Sequence, residues 1–367
     1  MKRIRFLMVG GFLGAGKTTA IARLARHYMD QGQKVGIVTN DQAYGLVDTM
    51  SLRAQGFQVG EVTGACFCCK FNDLIATAEQ LNDEEQPDII IAEPVGSCTD
   101  LMATVMEPLR QLYGEAYEIG PLAVLLKPEH GQKILGGESD VGFSPKAAYI
   151  FLKQLEEADV VVVNKVDKLS AAEREEITRL LAERFPGKQV LAISGREGEN
   201  FDSLVTAMNR RDHTPAATPE VDYDIYAEGE AELGWLNAIV RMRSPTGQAF
   251  RLDDVVVRLV ERLERAVRQA GGEPAHLKIL GSADGVAAIA NLVSSTFHAE
   301  LSLTSGAEVT AVELTVNARV AIAPETLAEL VERESAALAS EIGLTCELSD
   351  LQSFRPGRPV PTHRLRT

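Results

Sequence analysis

From Met1 to about Arg211, short runs rich in β-branched residues alternate with longer helical patterns. That alternation predicts an α/β unit on a mostly parallel sheet. The runs Arg3–Val9, Lys34–Thr39, Asp88–Glu93, Leu122–Leu126, Val160–Asn164 and Gln189–Ile193 are apolar almost throughout. Strands covered by helices on both faces read this way. Helical periodicity between them predicts helices over Lys17–Gln31, Leu74–Leu81, Leu101–Leu112, Lys146–Glu157, Ala171–Phe185 and Phe201–Asn209. The stretch from Gly114 to Phe143, with Gly136-Gly137, breaks the pattern and is expected to be partly irregular.

A Pro/Thr/Ala stretch, His213 to Glu220, marks a linker over 212–222 that closes a first domain over 1–211. In a second domain over 223–350, Ala231–Arg243, His276–Leu280, Thr310–Ile322 and Thr345–Leu348 read as strands. Asp253–Gln269 and Glu325–Glu341 read as helices. The order predicts a smaller, ferredoxin-like α+β fold with strands inserted near Ala287–Thr304. The Pro/Arg-rich tail over 351–367 is expected to be extended.

Composition narrows the classes. The 367 residues exceed one ordinary domain, and 45% hydrophobic with 24% charged residues is a soluble, globular balance. A formal charge of −15 argues against nucleic acid and against an anionic membrane as partner. No apolar run is long enough to span a bilayer. The apolar run Phe6 to Leu13 leads straight into Gly14-Ala15-Gly16-Lys17, which argues against a cleaved leader. The five cysteines, Cys66, Cys68, Cys69, Cys98 and Cys346, are odd in number and unevenly spaced. They suit a reducing cytoplasm better than a disulfide framework.

Gly10-Gly11-Phe12-Leu13-Gly14-Ala15-Gly16-Lys17-Thr18-Thr19 fits the phosphate-binding pattern G-x-x-x-x-G-K-[ST], between a predicted strand and a predicted helix. Gly11, Gly14, Ala15 and Gly16 would turn backbone N–H groups onto a phosphate at a helix N-terminus. Lys17 would reach the β- and γ-phosphates, Thr18 would ligate Mg²⁺, and Thr19 opens the helix beside them.

Asn164-Lys165-Val166-Asp167 follows a buried strand. The Asp167 carboxylate can accept from both the ring N–H and the exocyclic amine of guanine, a donor pair that adenine lacks. Lys165 would lie over the base, Asn164 would brace the loop, and the backbone at Ser194-Gly195 would meet the base edge. Glu93, closing the run Asp88 to Glu93, can hold Mg²⁺ through water, and Gly96 can offer its N–H to a γ-phosphate. Asn40-Asp41, closing the run Lys34–Thr39, is the candidate for the first switch, with Asp41 near the metal or the attacking water. Lys17, Asp41 and Glu93 form the catalytic set. GTP and GDP are the expected ligands.

Cys66-Phe67-Cys68-Cys69 lies between the two candidate switches. Three thiols in four residues suit one soft cation such as Zn²⁺. Tetrahedral coordination needs a fourth ligand, for which Cys98, two residues after Gly96, is the candidate, with water, a carboxylate or a histidine as the alternatives. The six histidines form no cluster.

Together, Gly10–Thr19, Cys66–Cys69, the E-x-x-G stretch Glu93–Gly96 and Asn164–Asp167 resemble the CobW-type metallochaperone GTPases, relatives of the nickel-insertion GTPases. The chain departs from that family in having Asn40-Asp41 for Asn-Glu and Glu93-Pro94-Val95-Gly96 for Glu-Thr/Ser-x-Gly. The resemblance implies GTP hydrolysis coupled to handling of Zn²⁺, Co²⁺ or a similar ion. With no arginine placed as a finger, the Mg²⁺-dependent reaction is expected to be slow. The resemblance further implies a client metalloprotein or corrinoid protein, and allows a nucleotide-dependent homodimer. Two alternatives are a GTPase gating assembly of a cobalamin enzyme and a P-loop kinase acting on a small molecule.

Overall fold

In the computed structural model, residues 3–42, 47–136, 144–292 and 299–366 are described. The part of the expected irregular stretch over 137–143, the part of the expected insertion over 293–298 and the terminal Thr367 lie outside them. The chain forms two units: Met1–Gln42, Gly56–Gly229 and Arg358–Thr367 in the first, Ala43–Gln55 and Glu230–Gly357 in the second.

The strands of the first unit are β1 (Ile4–Gly11), β2 (Val35–Asn40), β3 (Gln58–Val62), β4 (Ile89–Glu93), β5 (Tyr117–Leu126), β6 (Val160–Val163) and β7 (Gln189–Ala192). They form one sheet in the order β3-β2-β4-β1-β5-β6-β7. Every pairing in it is parallel. β1 and β4 are buried almost end to end, as their apolar sequences require. Open parallel sheets bind ligands beyond the carboxyl ends of their strands. The phosphate loop follows β1, Asn40 closes β2, Glu93 closes β4, and Asn164 follows β6.

The unit's first two helices are α1 (Lys17–Asp30), after the phosphate loop, and, in chain order past α2 (Val47–Ala54) of the second unit, α3 (Phe71–Glu85). A π-helical turn (Met102–Met106) then runs into α4 (Glu107–Leu112). Next come α5 (Pro128–Leu135), α6 (Pro145–Glu157), α7 (Ala171–Arg184), α8 (Phe201–Met208) and α9 (Tyr223–Ala231). Three elements of this order differ from the sequence expectation. β3 carries Gln58, Gly60 and Glu61 on an edge, so it lacks an apolar run. α5 contains Gly131 at a close approach to Leu126 and Ile177, from which a Cβ would lie 2.6 and 2.7 Å. Its glycine marks packing rather than a break. The Pro/Thr stretch expected as a linker packs inside the first unit, where the Ala216 N–H donates to Asp159 Oδ1 at 2.6 Å. The units exchange instead at Gly229 and Glu230, within α9.

The second unit has β8 (Gly234–Arg243), β9 (Phe250–Arg251), β10 (Pro274–Ala283), β11 (Val286–Leu292), β12 (Ala299–Leu303), β13 (Glu308–Val309), β14 (Ala311–Val320) and β15 (Thr345–Phe354). Its main sheet runs β12-β11-β10-β14-β8-β15 and is antiparallel. Its helices are α10 (Leu252–Gln269) and α11 (Pro324–Glu341). β8, α10, β10, β14, α11 and β15 make the expected ferredoxin-like order, with β11 and β12 added at one edge. α10 buries Leu252, Val255, Val256, Leu259, Val260 and Leu263, a spacing that lays one face on the sheet. α2 also belongs here: the Val47 N–H donates to Asn317 Oδ1 at 2.8 Å, and Asp48 pairs with Lys278 at 2.6 Å. No helix among the described residues is long and apolar enough to cross a membrane.

Candidate functional site

The phosphate loop is shaped by what a side chain would hit. Gly11 has φ +135°, and a Cβ there would sit 2.2 Å from the Leu125 carbonyl oxygen. Gly16, at φ +86°, caps α1, and its Cβ would sit 2.5 Å from Asn164 Nδ2. Ala15 is buried between them, Gly14 has φ +73°, and Thr19 is exposed. Lys17 is buried, and its ammonium donates to the Gly11 carbonyl at 3.0 Å. The loop thus holds a cation back against its own start, at a helix N-terminus that favours anions.

Asn164 ties this loop to the turn after β6 and to Gly195. Its Nδ2 donates to Ala15 O at 2.8 Å, while its Oδ1 accepts the N–H groups of Lys165 and Gly195, each at 2.8 Å. The Asn164 side chain therefore joins three segments. Lys165 sits at φ +64°, and burial, with Lys127 and Lys168 nearby, pushes its ammonium down to about 8. Asp167 is exposed at the mouth of the turn. Ser194 uses its hydroxyl locally, accepting the Glu197 N–H at 2.9 Å.

Thr18 Oγ1 donates to Glu93 Oε1 at 3.0 Å. A hydroxyl and a carboxylate meeting beside a phosphate loop are hard oxygen donors of the kind Mg²⁺ takes. Gly96 packs against the same loop: a Cβ there would come within 2.7 Å of Leu13 Cδ2 and 3.2 Å of Lys17 Nζ. Asp41 is buried directly after β2, with its N–H on Val62 O at 3.1 Å.

The cysteine loop leads into α3. Cys66 Sγ lies 3.0 Å from Cys68 Sγ and 3.5 Å from Cys69 Sγ, and Cys68 and Cys69 are 3.7 Å apart. Zn–S bonds of about 2.3 Å in a tetrahedron place sulfurs about 3.8 Å apart, so the three already converge as a soft cation requires. Cys66 and Cys68 are buried; Cys69 is half-buried. Hydrogen bonds from Cys68, Cys69 and Cys98 hold the Cys66 thiol well below its ordinary range. Cys98 is thus adjacent, yet among the described residues only Cys66, Cys68 and Cys69 form a group whose sulfurs lie within 4.8 Å of one another.

One side-chain amide, on Asn40, ties this loop to the end of β2, and a second, on Gln154, ties Gly96 and Cys98 to α6. Asn40 donates to Val62 O at 2.9 Å and Ala65 O at 2.8 Å, and accepts the Phe67 N–H at 2.7 Å. Its side chain therefore fixes the backbone that carries Cys66. On α6, Gln154 Nε2 donates to Gly96 O at 3.0 Å and to Cys98 O at 2.7 Å. One turn on, the buried Glu157 accepts the Met102 N–H at 2.8 Å. Burial pushes its carboxyl up to about 8. Sequence reasoning missed Gln154 and Glu157. Their trace was two polar residues three apart on a helix face that otherwise buries Ala147, Ile150, Phe151 and Leu155.

The family description CobW/HypB/UreG, nucleotide-binding domain, matches residues 5–192. Among curated proteins, the zinc chaperone YeiR of Escherichia coli (strain K12) is 27% identical over 192 residues, covering 50% of this chain and 53% of that one. This chain's match thus spans about half the length of that relative. The zinc chaperone CobW of Sinorhizobium sp is 26% identical over 271 residues, covering 63% of this chain and 73% of that one. Among solved structures, the Zn(II)-bound YjiA GTPase from E. coli superposes with TM-score 0.38 at 15% identity, covering 92% of this chain and 99% of that one.

Proposed function

The chain belongs to the CobW/HypB/UreG nucleotide-binding family, and from that premise we infer a GTP-hydrolysing metallochaperone. In this reading the nucleotide state sets how tightly three thiolates hold a transition metal bound for a client metalloprotein. The observation that carries it is the pair of amide ties. Gln154 joins the phosphate-facing Gly96 to Cys98, and Asn40 joins the end of β2 to the cysteine loop. A displacement of either switch segment is thereby passed to sulfur.

Lys17 exchanges the Gly11 carbonyl for phosphate oxygens, and Gly96 offers its N–H to the γ-phosphate. Thr18 and Glu93 would hold Mg²⁺, which when bound neutralises charge on the phosphate oxygens. Asp41 and Glu93 orient a water whose oxygen bonds to the γ-phosphorus as the bond to the bridging oxygen breaks, giving GDP and inorganic phosphate. Asp167 selects guanine, Lys165 covers the base, and Asn164 keeps both loops in register.

The metal is the cargo. Cys66, Cys68 and Cys69 leave one tetrahedral position open, and Cys98, carried on the Gly96–Cys98 segment, fills it in one nucleotide state and withdraws in the other. Soft sulfur donors favour Zn²⁺, with Co²⁺ as the second candidate, and the relatives named zinc chaperones support Zn²⁺. Chelator competition for Zn²⁺ tests this with GDP, with a non-hydrolysable GTP analogue and with neither. Affinities differing at least fivefold between the two nucleotides are expected. Equal affinities would leave the cysteines a structural role and favour a GTPase that gates assembly without metal transfer.

A further inference from the structure

We propose that residues 358–366 are a built part of the thiolate site, holding the cysteine loop closed and supplying a backbone donor to one sulfur. This rests on the reading of Cys66, Cys68 and Cys69 as metal ligands. The segment lies in the first unit, as the cysteines do. The Val360 N–H donates to Cys69 Sγ at 3.2 Å. Two residues on, the Thr362 N–H donates to Cys68 O at 2.8 Å and the Thr362 hydroxyl to Cys69 O at 3.2 Å. His363 then meets the ring of Phe71, which opens α3 directly after the cysteine turn, edge-on at 5.0 Å.

The segment is anchored on both sides of these contacts. Before them, Arg358 pairs with Asp224 at 2.9 Å and lies over the Tyr223 ring. After them, Arg364 Nε donates to Asp100 Oδ2 at 2.7 Å, and the Leu365 N–H donates to Ala103 O at 2.8 Å. Asp100 is fully buried at φ +67°, and it also accepts from Tyr223 Oη at 2.7 Å. One carboxylate two residues past Cys98 thus fastens the strap to the same stretch that carries the candidate fourth ligand. An extended, proline-flanked segment suits this task, since Pro359 and Pro361 limit the freedom lost on ordering it.

A metal-bound thiolate keeps negative charge on sulfur, and an N–H aimed at it stabilises that charge and fixes its direction. Outer partners of this kind are worth about 10–100-fold in metal affinity. The strap therefore raises affinity and slows exchange.

The test is Val360→Pro in the full chain. It deletes the N–H donor, while residue 360 already precedes a proline and its side chain is 70% exposed. Val360→Ala, which retains the donor, is the comparison. Zn²⁺ affinity by chelator competition, Zn²⁺ release into excess chelator and the Co²⁺–thiolate charge-transfer band are the readouts, with melting of the metal-free protein as the check on folding. We expect Val360→Pro to bind about tenfold more weakly than Val360→Ala, and to release metal correspondingly faster. If Val360→Pro fails to fold, Thr362→Val, which removes only the hydroxyl bond to Cys69 O, should speed release about two- to tenfold. Unchanged affinity and release in the folded variants would overturn the proposal while leaving the thiolate reading intact. A Cys66/Cys68/Cys69→Ala chain that binds Zn²⁺ as the native one does would overturn both.

Discussion

Replacing Gln154 by methionine isolates the tie proposed to couple nucleotide state to metal affinity. The change keeps length and apolar volume but removes the amide that donates to Gly96 O at 3.0 Å and Cys98 O at 2.7 Å. Two such bonds are worth about 0.5–1.5 kcal/mol each. Against that, Gln154 Oε1 is buried with no hydrogen-bond partner among the described residues, and removing it relieves about 1–3 kcal/mol. The terms oppose each other, so the variant should fold with stability within about 1–2 kcal/mol of the native chain. Coupling should suffer far more. A native ratio of Zn²⁺ affinities between GTP-analogue and GDP states of about 5–150-fold, the span of 1–3 kcal/mol, should fall below about twofold. Chelator competition on both nucleotide complexes, with urea unfolding alongside, reads the two effects separately. A variant that keeps the native ratio would refute the assignment of Gln154 as the link.

Three further expectations follow the same logic. Asn40→Ala removes three hydrogen bonds around the cysteine loop, at about 1 kcal/mol each, and should weaken Zn²⁺ binding about tenfold or more in both nucleotide states; native affinity would contradict it. Asp167→Asn should lower GTP affinity by about 10–100-fold in a fluorescent-nucleotide titration, because the amide repels the donors that the carboxylate accepts; unchanged affinity would remove Asp167 from the guanine site. Glu157 titrates at about 8 in the folded chain against an ordinary 4.5, so folding retains a proton that the unfolded chain has lost. That contribution is full below pH 4.5 and is lost as pH rises toward about 8. Glu157→Gln, neutral throughout, should lose less stability between about pH 5 and pH 8 in urea unfolding, and an identical slope would contradict the burial argument.

The phosphate loop, the Asn164 turn and the cysteine turn were legible because each packs several rare residues into one short stretch. The sheet was legible where burial on both faces forces continuous apolar runs, as in β1 and β4. β3 was not, since an edge position tolerates Gln58 and Glu61. α2 was missed because its apolar positions Val47 and Met50 face a small cluster with Leu280 and Ile289 that lies far away in sequence. α5 was hidden because Gly136-Gly137 made its surroundings read as irregular, although Gly136 only ends the helix. Gln154 and the strap were invisible for a different reason. A buried glutamine looks like any helix polar residue, and Pro359-Val360-Pro361 carries no periodicity. Their meaning lies in backbone groups more than 50 residues away in sequence. Asn40 was read as part of a switch, whereas the contacts its amide makes are with the backbone of the cysteine loop.

The sharpest test uses reciprocity. If nucleotide state changes Zn²⁺ affinity by some factor, Zn²⁺ must change the ratio of GTP-analogue to GDP affinity by that same factor. Nucleotide titrations with the metal-free and Zn²⁺-loaded protein measure this ratio without reference to hydrolysis. The account predicts a shift of at least about fivefold, equal to the factor from chelator competition. An identical ratio with and without Zn²⁺ would contradict it.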